Sequence, residues 1–105
     1  MRWLWATLAL ALSSIVASAA EYPCAQIRII VPYPPGGSND VATRIVGERL
    51  EAMLKKTVVI ESRPGATGNI GTMATVHAKP DGCTLLVNGA VIATFPYSFA
   101  RLGYD

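Results

Sequence analysis

Two stretches of this chain hold residue types, closely spaced, from which a binding site could be made. Residues 32–40 read Pro-Tyr-Pro-Pro-Gly-Gly-Ser-Asn-Asp, and residues 65–71 read Gly-Ala-Thr-Gly-Asn-Ile-Gly. Pro32, Pro34 and Pro35 lack a backbone N–H and fix φ, so they end strand pairing and stiffen the exit from the strand. Gly36 and Gly37 carry no Cβ and let a ligand come close to the main chain. Ser38, Asn39 and Asp40 then open a helix, whose first turn presents unpaired N–H groups and a partial positive charge. Together these make an anion site that needs neither Lys nor Arg. The run Gly65, Ala66, Thr67, Gly68 and Asn69 repeats the logic ahead of a second helix. Two helix starts facing one crevice suit a small carboxylate. The competing reading is a pair of ordinary strand-to-helix turns whose glycines serve packing. Phosphate readings are weaker: there is no Gly-Lys-Ser/Thr ending, and G-x-x-G-x-x-G is not the dinucleotide fingerprint.

Other reactive residues are isolated. His77 is the single histidine, with no nucleophile and partner acid near it in sequence, so a structural or solvent-facing role is expected. Asp40 could be a general base, but an acid in a first helical turn more often complements the dipole. Arg63 could reach a carboxylate or lie on the surface. Tyr33, between prolines, could wall a cleft or pack on the sheet edge, and the cleft is favoured. The two cysteines, Cys24 and Cys83, form no Cys-x-x-Cys or His/Cys cluster, so no metal site is expected. No catalytic residue and no cofactor are expected either.

The scaffold that carries these residues is read from the hydrophobic pattern. Ile27–Val31 is a short β-branched run, read as a strand buried on both faces. Val41, Ala42, Ile45, Val46, Leu50, Met53 and Leu54 have the three-four spacing of a helix and are expected to be its buried face. Ser38 or Asn39 is expected to cap it, with Asp40 in the first turn and Lys55 and Lys56 in the last. Thr57–Glu61 is a second strand. Ile70–Ala78 is a shorter helix, with Asn69 its candidate cap and Ile70, Met73, Ala74 and His77 on one side. Thr84–Val87 is a third strand, and the tail from Val91 has no clean period. Strand-helix-strand-helix-strand alternation predicts an α/β fold with a parallel sheet and right-handed crossovers. Ligands bind such sheets beyond the carboxyl ends of the strands, where three glycine-bearing loops fall: 36–37, 65–71 and 89.

Composition narrows the class. Residues 1–20 carry one early cation, Arg2, then an apolar stretch through Trp3, Leu4 and Trp5, then small residues up to Ala19-Ala20. That is the pattern of a cleaved secretory signal peptide, broken by Ser13 and Ser14 and too short for a membrane anchor. Removing those 20 residues from 105 leaves 85, residues 21–105, with 8 basic against 7 acidic residues. One small domain is the most this can build. Its near neutrality and scattered bases do not suggest nucleic-acid binding.

Export also allows a disulfide. Cys24 precedes the first strand and Cys83 the third. In the doubly wound order 2-1-3 those strands are neighbours, about 4.8 Å apart, within the usual reach of a bridge. The cysteines would then lie at the amino ends of the sheet, away from the loops. The alternative is two unpaired small residues.

The motifs "YPCAQIRIIVPYPPGGSNDVATRIVGERL", "VVIESRPGATGNIG", "AKPDGCTLLV" and "LGYD" occur in order over essentially the whole mature chain. In this the sequence resembles the Bug-type periplasmic solute-binding proteins, the extracytoplasmic receptors of tripartite tricarboxylate transporters. The resemblance implies a type II periplasmic-binding, Venus-flytrap fold whose two lobes close on a small carboxylate or related metabolite. It implies membrane transporter subunits as partners and a periplasmic location. It assigns ligand contact to the main chain of two loops, here Pro35, Gly36, Gly37, Ser38, Asn39 and Asp40, and Gly65, Ala66, Thr67, Gly68 and Asn69, with Tyr33 a candidate cleft wall beside the first. The segment Asn88, Gly89 and Ala90 would border the cleft. Cys24 stands where Ser is common in the family, Cys83 where an aromatic is common, and Ser38-Asn39 where a small Gly or Thr is usual. Family members of two domains run to roughly 300 residues. Residues 21–105 therefore read as a truncated first lobe, either part of a gene or an incomplete sequence. One wall alone leaves a ligand largely hydrated, so the isolated chain is expected to bind weakly or not at all, with open strand edges prone to association. Two readings compete with a receptor fragment: a non-functional remnant, and a nucleotide-binding α/β enzyme domain.

Overall fold

The computed structural model describes residues 21–104; the expected signal peptide lies outside them. Ile27, Ile29, Ile30 and Val31 are all buried to 2% exposure or less, and they make β1 (Gln26–Val31) the central strand. It pairs in parallel with β2 (Thr57–Ser62) on one side and with β3 (Thr84–Leu86) on the other. Ile29 lies beside Ile60 and Leu85. The sheet is parallel, as the alternation predicts, and its order is β2-β1-β3, the doubly wound order on which the expected disulfide rests.

Helix α1 (Ser38–Leu54) returns the chain from β1 to β2, and α2 (Asn69–Val76) carries it from β2 past β1 to β3. Right-handed crossovers in opposite directions put the helices on opposite faces of the sheet. Under α1 the core joins Cys24, Ile27 and Ile29 to Val58, Ile60, Leu50 and Leu54.

The face that α1 buries is not the expected one. Asp40, Thr43 and Gly47 are buried and Leu50 and Leu54 half-buried, while Val41, Ile45, Val46 and Met53 are 49% to 77% exposed. Spacing identified an apolar stripe, but small residues decided the docking. A Cβ on Gly47 would stand 3.0 Å from Ile60 Cδ1, so the helix approaches β2 along its thinnest side. Its ends differ as well. Neither Ser38 nor Asn39 caps it; the N-cap is Gly37, and no side chain caps the start. Lys55 is the C-cap, in the left-handed region at φ 52°, and no basic residue lies in the last turn. Lys56, just beyond, pairs with Glu21 at 2.7 Å.

Helix α2 starts one residue early. Its N-cap is Gly68, and Asn69 is helical and 8% exposed rather than a cap. Its buried residues are Asn69, Gly71 and Thr72, whereas Ile70 and His77 are exposed. The tail holds a short 3-10 turn, Ala90–Thr94, and a four-residue helix α3 (Phe95–Ser98). Phe95 is buried, with Phe99 edge-on to it at 5.3 Å. The tail then returns to α2: Tyr104 donates a hydrogen bond to Asn69 Oδ1 at 3.4 Å.

Cys24 and Cys83 form a disulfide with Cα atoms 5.6 Å apart. The Arg28 amide donates to the Cys83 carbonyl at 2.8 Å beside it, which fixes the bridge at the amino end of the β1–β3 pair. Near it, the Tyr22 hydroxyl donates to the Gly82 carbonyl.

Candidate functional site

Because all three strands run parallel, their carboxyl ends at Val31, Ser62 and Leu86 fall on one side of the sheet. The loops beyond these ends are brought together there. Arg63 N donates to Val31 O at 2.8 Å and Val87 N to Ile30 O at 3.0 Å, extending the pairing into the loops. Pro32, fully buried, is the shared floor. A Cβ on Gly71 would lie 2.7 Å from Pro32 Cβ and 2.9 Å from the Arg63 carbonyl, so only glycine lets α2 lean on this proline.

The first loop leaves its helix start open. Gly36 has φ 84°, a left-handed value suited to glycine, and a Cβ there would meet nothing within 4 Å. Gly37 is extended, at φ −72° and ψ 169°, and a Cβ there would meet only the Pro34 carbonyl, at 3.5 Å. In a capping box, the first and fourth residues satisfy each other's backbone N–H groups. Here the cap is a glycine without a side chain, and half the device is missing. Asp40 supplies the other half, one residue displaced: its Oδ2 accepts the Gly36 N–H at 2.9 Å. Val41 N donates to Gly37 O at 3.0 Å, and the amides of Ser38, Asn39 and Asp40 precede it with no side-chain cap. That leaves a first turn able to bind an external acceptor.

Asp40 is 2% exposed. Arg44 Nε donates to the same Oδ2 at 3.0 Å, and Oδ1 is buried with no hydrogen-bond partner among the described residues. The Arg44 hydrogen bond first, then the Gly36 amide, hold the carboxyl below its ordinary value, against the opposing cost of burial. Asp40 therefore supports the loop from beneath as a carboxylate.

The second loop is not a repeat of the first. Gly65, Ala66, Thr67 and Gly68 all have positive φ, from 47° to 129°. The turn folds back on itself: Gly68 N donates to Gly65 O at 3.0 Å, Ile70 N to Gly65 O at 3.5 Å, and Asn69 N to Ala66 O. The amides that would face a ligand at this helix start are largely occupied internally. The two helix starts thus differ, and the open one belongs to α1.

The third loop joins the other two through side chains. Asn88 accepts from the Tyr33 hydroxyl at 2.6 Å and from Gly89 N at 2.8 Å, and it donates to Thr72 Oγ1 at 3.1 Å. Tyr33 is half-buried and spans from the first loop to the third; a Cβ on Gly89 would stand 3.8 Å from its hydroxyl oxygen. Pro35 and Ala90 are exposed at the rim. Two residues considered for chemistry lie elsewhere. Arg63 turns to Glu61 at 2.5 Å, along the strand, and His77 is exposed at the far end of α2. Thr72 and Arg44 are structural members that sequence reasoning missed. A polar residue one turn past a glycine-rich loop was the available signal for each. Among the described residues no group of His, Cys, Asp or Glu could hold a metal ion, and no helix is long and apolar enough to cross a membrane.

Comparison with known proteins agrees with the fold. Residues 42–105 match the family described as tripartite tricarboxylate transporter family receptor. Protein BugT of Bordetella pertussis is 47% identical over 73 residues, which cover 70% of this chain and 22% of BugT. The structure of the periplasmic binding protein BugD superposes with a TM-score of 0.73 at 35% identity, covering 76% of this chain and 27% of BugD. Rpa4515 of R. palustris, solved with adipate, gives a TM-score of 0.73 at 28% identity, covering 80% of this chain and 28% of that one. The chain thus spans roughly a quarter of the length of these relatives. With a family model matching more than half of the chain and the fold shared with solved members, the chain belongs to the tripartite tricarboxylate transporter receptor family, the Bug-type solute-binding proteins.

Proposed function

We propose that residues 21–104 form part of the first lobe of an exported receptor and supply one wall of a cleft for a small carboxylate. Residues 1–20 would direct export to the periplasm, where relatives such as BugD act as binding proteins. Delivery to a membrane transporter of the tripartite tricarboxylate type completes the reading. The observation that carries it is the uncapped first turn of α1, set behind Gly36-Gly37 at the carboxyl edge of the sheet. Adipate in the related Rpa4515 supports a dicarboxylate as the kind of ligand. Binding without catalysis fits the site's makeup, main-chain N–H groups rather than a paired acid and base.

Gly37→Val is the decisive variant. The φ and ψ of Gly37 suit a β-branched residue and the space above it is open, so the change disturbs the fold little while screening the α1 amides. The test uses a completed receptor in which residues 21–104 replace the matching segment of BugT. Calorimetry with adipate, malate and citrate is expected to show binding by the parent chimera and at least about a hundredfold loss in the variant, the scale of two charge-assisted hydrogen bonds. Equal affinity in the variant overturns the assignment.

A further inference from the structure

Asn88 links all three loops, and its hydrogen bonds fix the direction of every proton in the linkage. A backbone N–H can only donate, so the Asn88 atom facing Gly89 N is the carbonyl oxygen Oδ1. The Tyr33 hydroxyl then donates to that oxygen, at 2.6 Å. Both lone pairs of Oδ1 are thereby occupied. The Asn88 amide nitrogen donates to Thr72 Oγ1 at 3.1 Å. The Thr72 hydroxyl, on a residue 1% exposed, donates in turn to the Gly68 carbonyl at 2.9 Å. One directed chain runs Tyr33 to Asn88 to Thr72 to Gly68.

Each end of this chain lands where the backbone needs holding. Tyr33 belongs to the proline-rich exit that leads to Gly36-Gly37. Gly68, at φ 96°, closes the four-residue run of positive φ in which Ala66 and Thr67 are non-glycine residues in the left-handed region, a conformation that costs about 1 kcal/mol or more per residue and persists only when its surroundings enforce it.

We propose that Asn88 is a positioning residue. With Tyr33 and Thr72 it locks the loops after β1, β2 and β3 into one unit, and it serves the binding wall through those bonds rather than by touching the ligand. This deepens the binding reading and rests on it for its purpose, but the linkage itself exists without ligand and is tested without ligand. The Tyr33 hydroxyl proton and the Asn88 carbonyl oxygen are thus engaged internally, and the uncapped donors at the α1 start are separate from this linkage.

The test is amide exchange and backbone NMR on the protein recovered from the periplasm of cells expressing the full chain, ligand-free. Tyr33→Phe removes one oxygen. It is expected to shift the amide signals of Thr72 and Gly68, residues distant in sequence, and to speed exchange at Gly89 about tenfold, the upper range for one net hydrogen bond. Thr72→Val is expected to do the same at Gly68 and Gly89, and Thr72→Ser, which keeps the hydroxyl, to restore the parent pattern. Asn88→Ala is expected to produce both effects at once. Changes confined to the neighbours of each mutated residue, or equal behaviour of Thr72→Ser and Thr72→Val, overturn the proposal, as does a parent spectrum without dispersed signals. Failure of the chimera to bind carboxylates would remove the binding reading and leave these results unaffected.

Discussion

Asp40 shows how one side chain at the residue scale can be both an anchor and a liability. Its carboxylate holds Gly36 and Arg44, and these lower its pKa in the folded chain. A group whose folded pKa lies below its unfolded value adds stability above the ordinary carboxylate range. That stability is lost as pH falls through the folded pKa. Asp40→Asn keeps an acceptor for the Gly36 amide but gives up the charge. Melting temperatures measured from about pH 7 to pH 2 should therefore fall less steeply with acid in the variant than in the parent. Superimposable acid limbs would show that Asp40 carries no such linkage. The place of Asp40 in the first helical turn, beside the positive end of the dipole, was legible in the sequence. The linkage through Asn88 was not: its partners lie 55 and 16 residues away in the chain, and no local pattern encodes a meeting of three loops.

At the scale of elements, strands were easier to read than helix faces. The β-branched run at Ile27–Val31 and the proline that ends it determine a central strand almost by themselves. Helix α1 was read by counting apolar residues, and its orientation depends instead on Gly47 and Thr43, which a count of apolar positions passes over. The result is a helix with two non-polar sides, one on the sheet and one bearing Val41, Ile45 and Met53 toward solvent. Ile45→Lys should therefore change the stability of this chain by no more than about 0.5 kcal/mol, as exposed sites do. Leu50→Ala, on the docking side, should cost about 1–3 kcal/mol, less than a fully buried leucine. Denaturant unfolding of the two variants measures this, and a larger loss for Ile45→Lys would mean that the outward side is covered. The cap of α2 was misplaced for a related reason: Asn69 has the right chemistry for a cap, but the left-handed φ required one position earlier belongs to Gly68.

For the whole molecule the disulfide matters most. It closes a loop of 59 residues in sequence separation around a core with few fully buried side chains. Chain-entropy reasoning assigns such a closure about 4 kcal/mol, a large share of the stability available to one small domain. Replacing Cys24 and Cys83 together with Ser should abolish a cooperative thermal transition or lower it by well over 10 °C, the shift that several kcal/mol produces in a domain this size. An unchanged melt under non-reducing conditions would refute that dependence. The order 2-1-3 made the bridge possible by setting β1 beside β3, but the stagger of the two strand starts, which decides whether it closes, was not legible in the sequence.

That bridge also governs how the protein would mature. Within residues 1–105, two cysteines admit a single pairing, so forming it needs an oxidant and no reshuffling among these residues. On the proposed export, Cys24 would enter the periplasm first and wait, as a thiol, until Cys83 arrives 59 residues later. Closure therefore comes only after β1, α1, β2 and α2 have all emerged. During that interval Cys24 would be open to capture by other thiols, and the yield of bridged protein should track the speed of secretion.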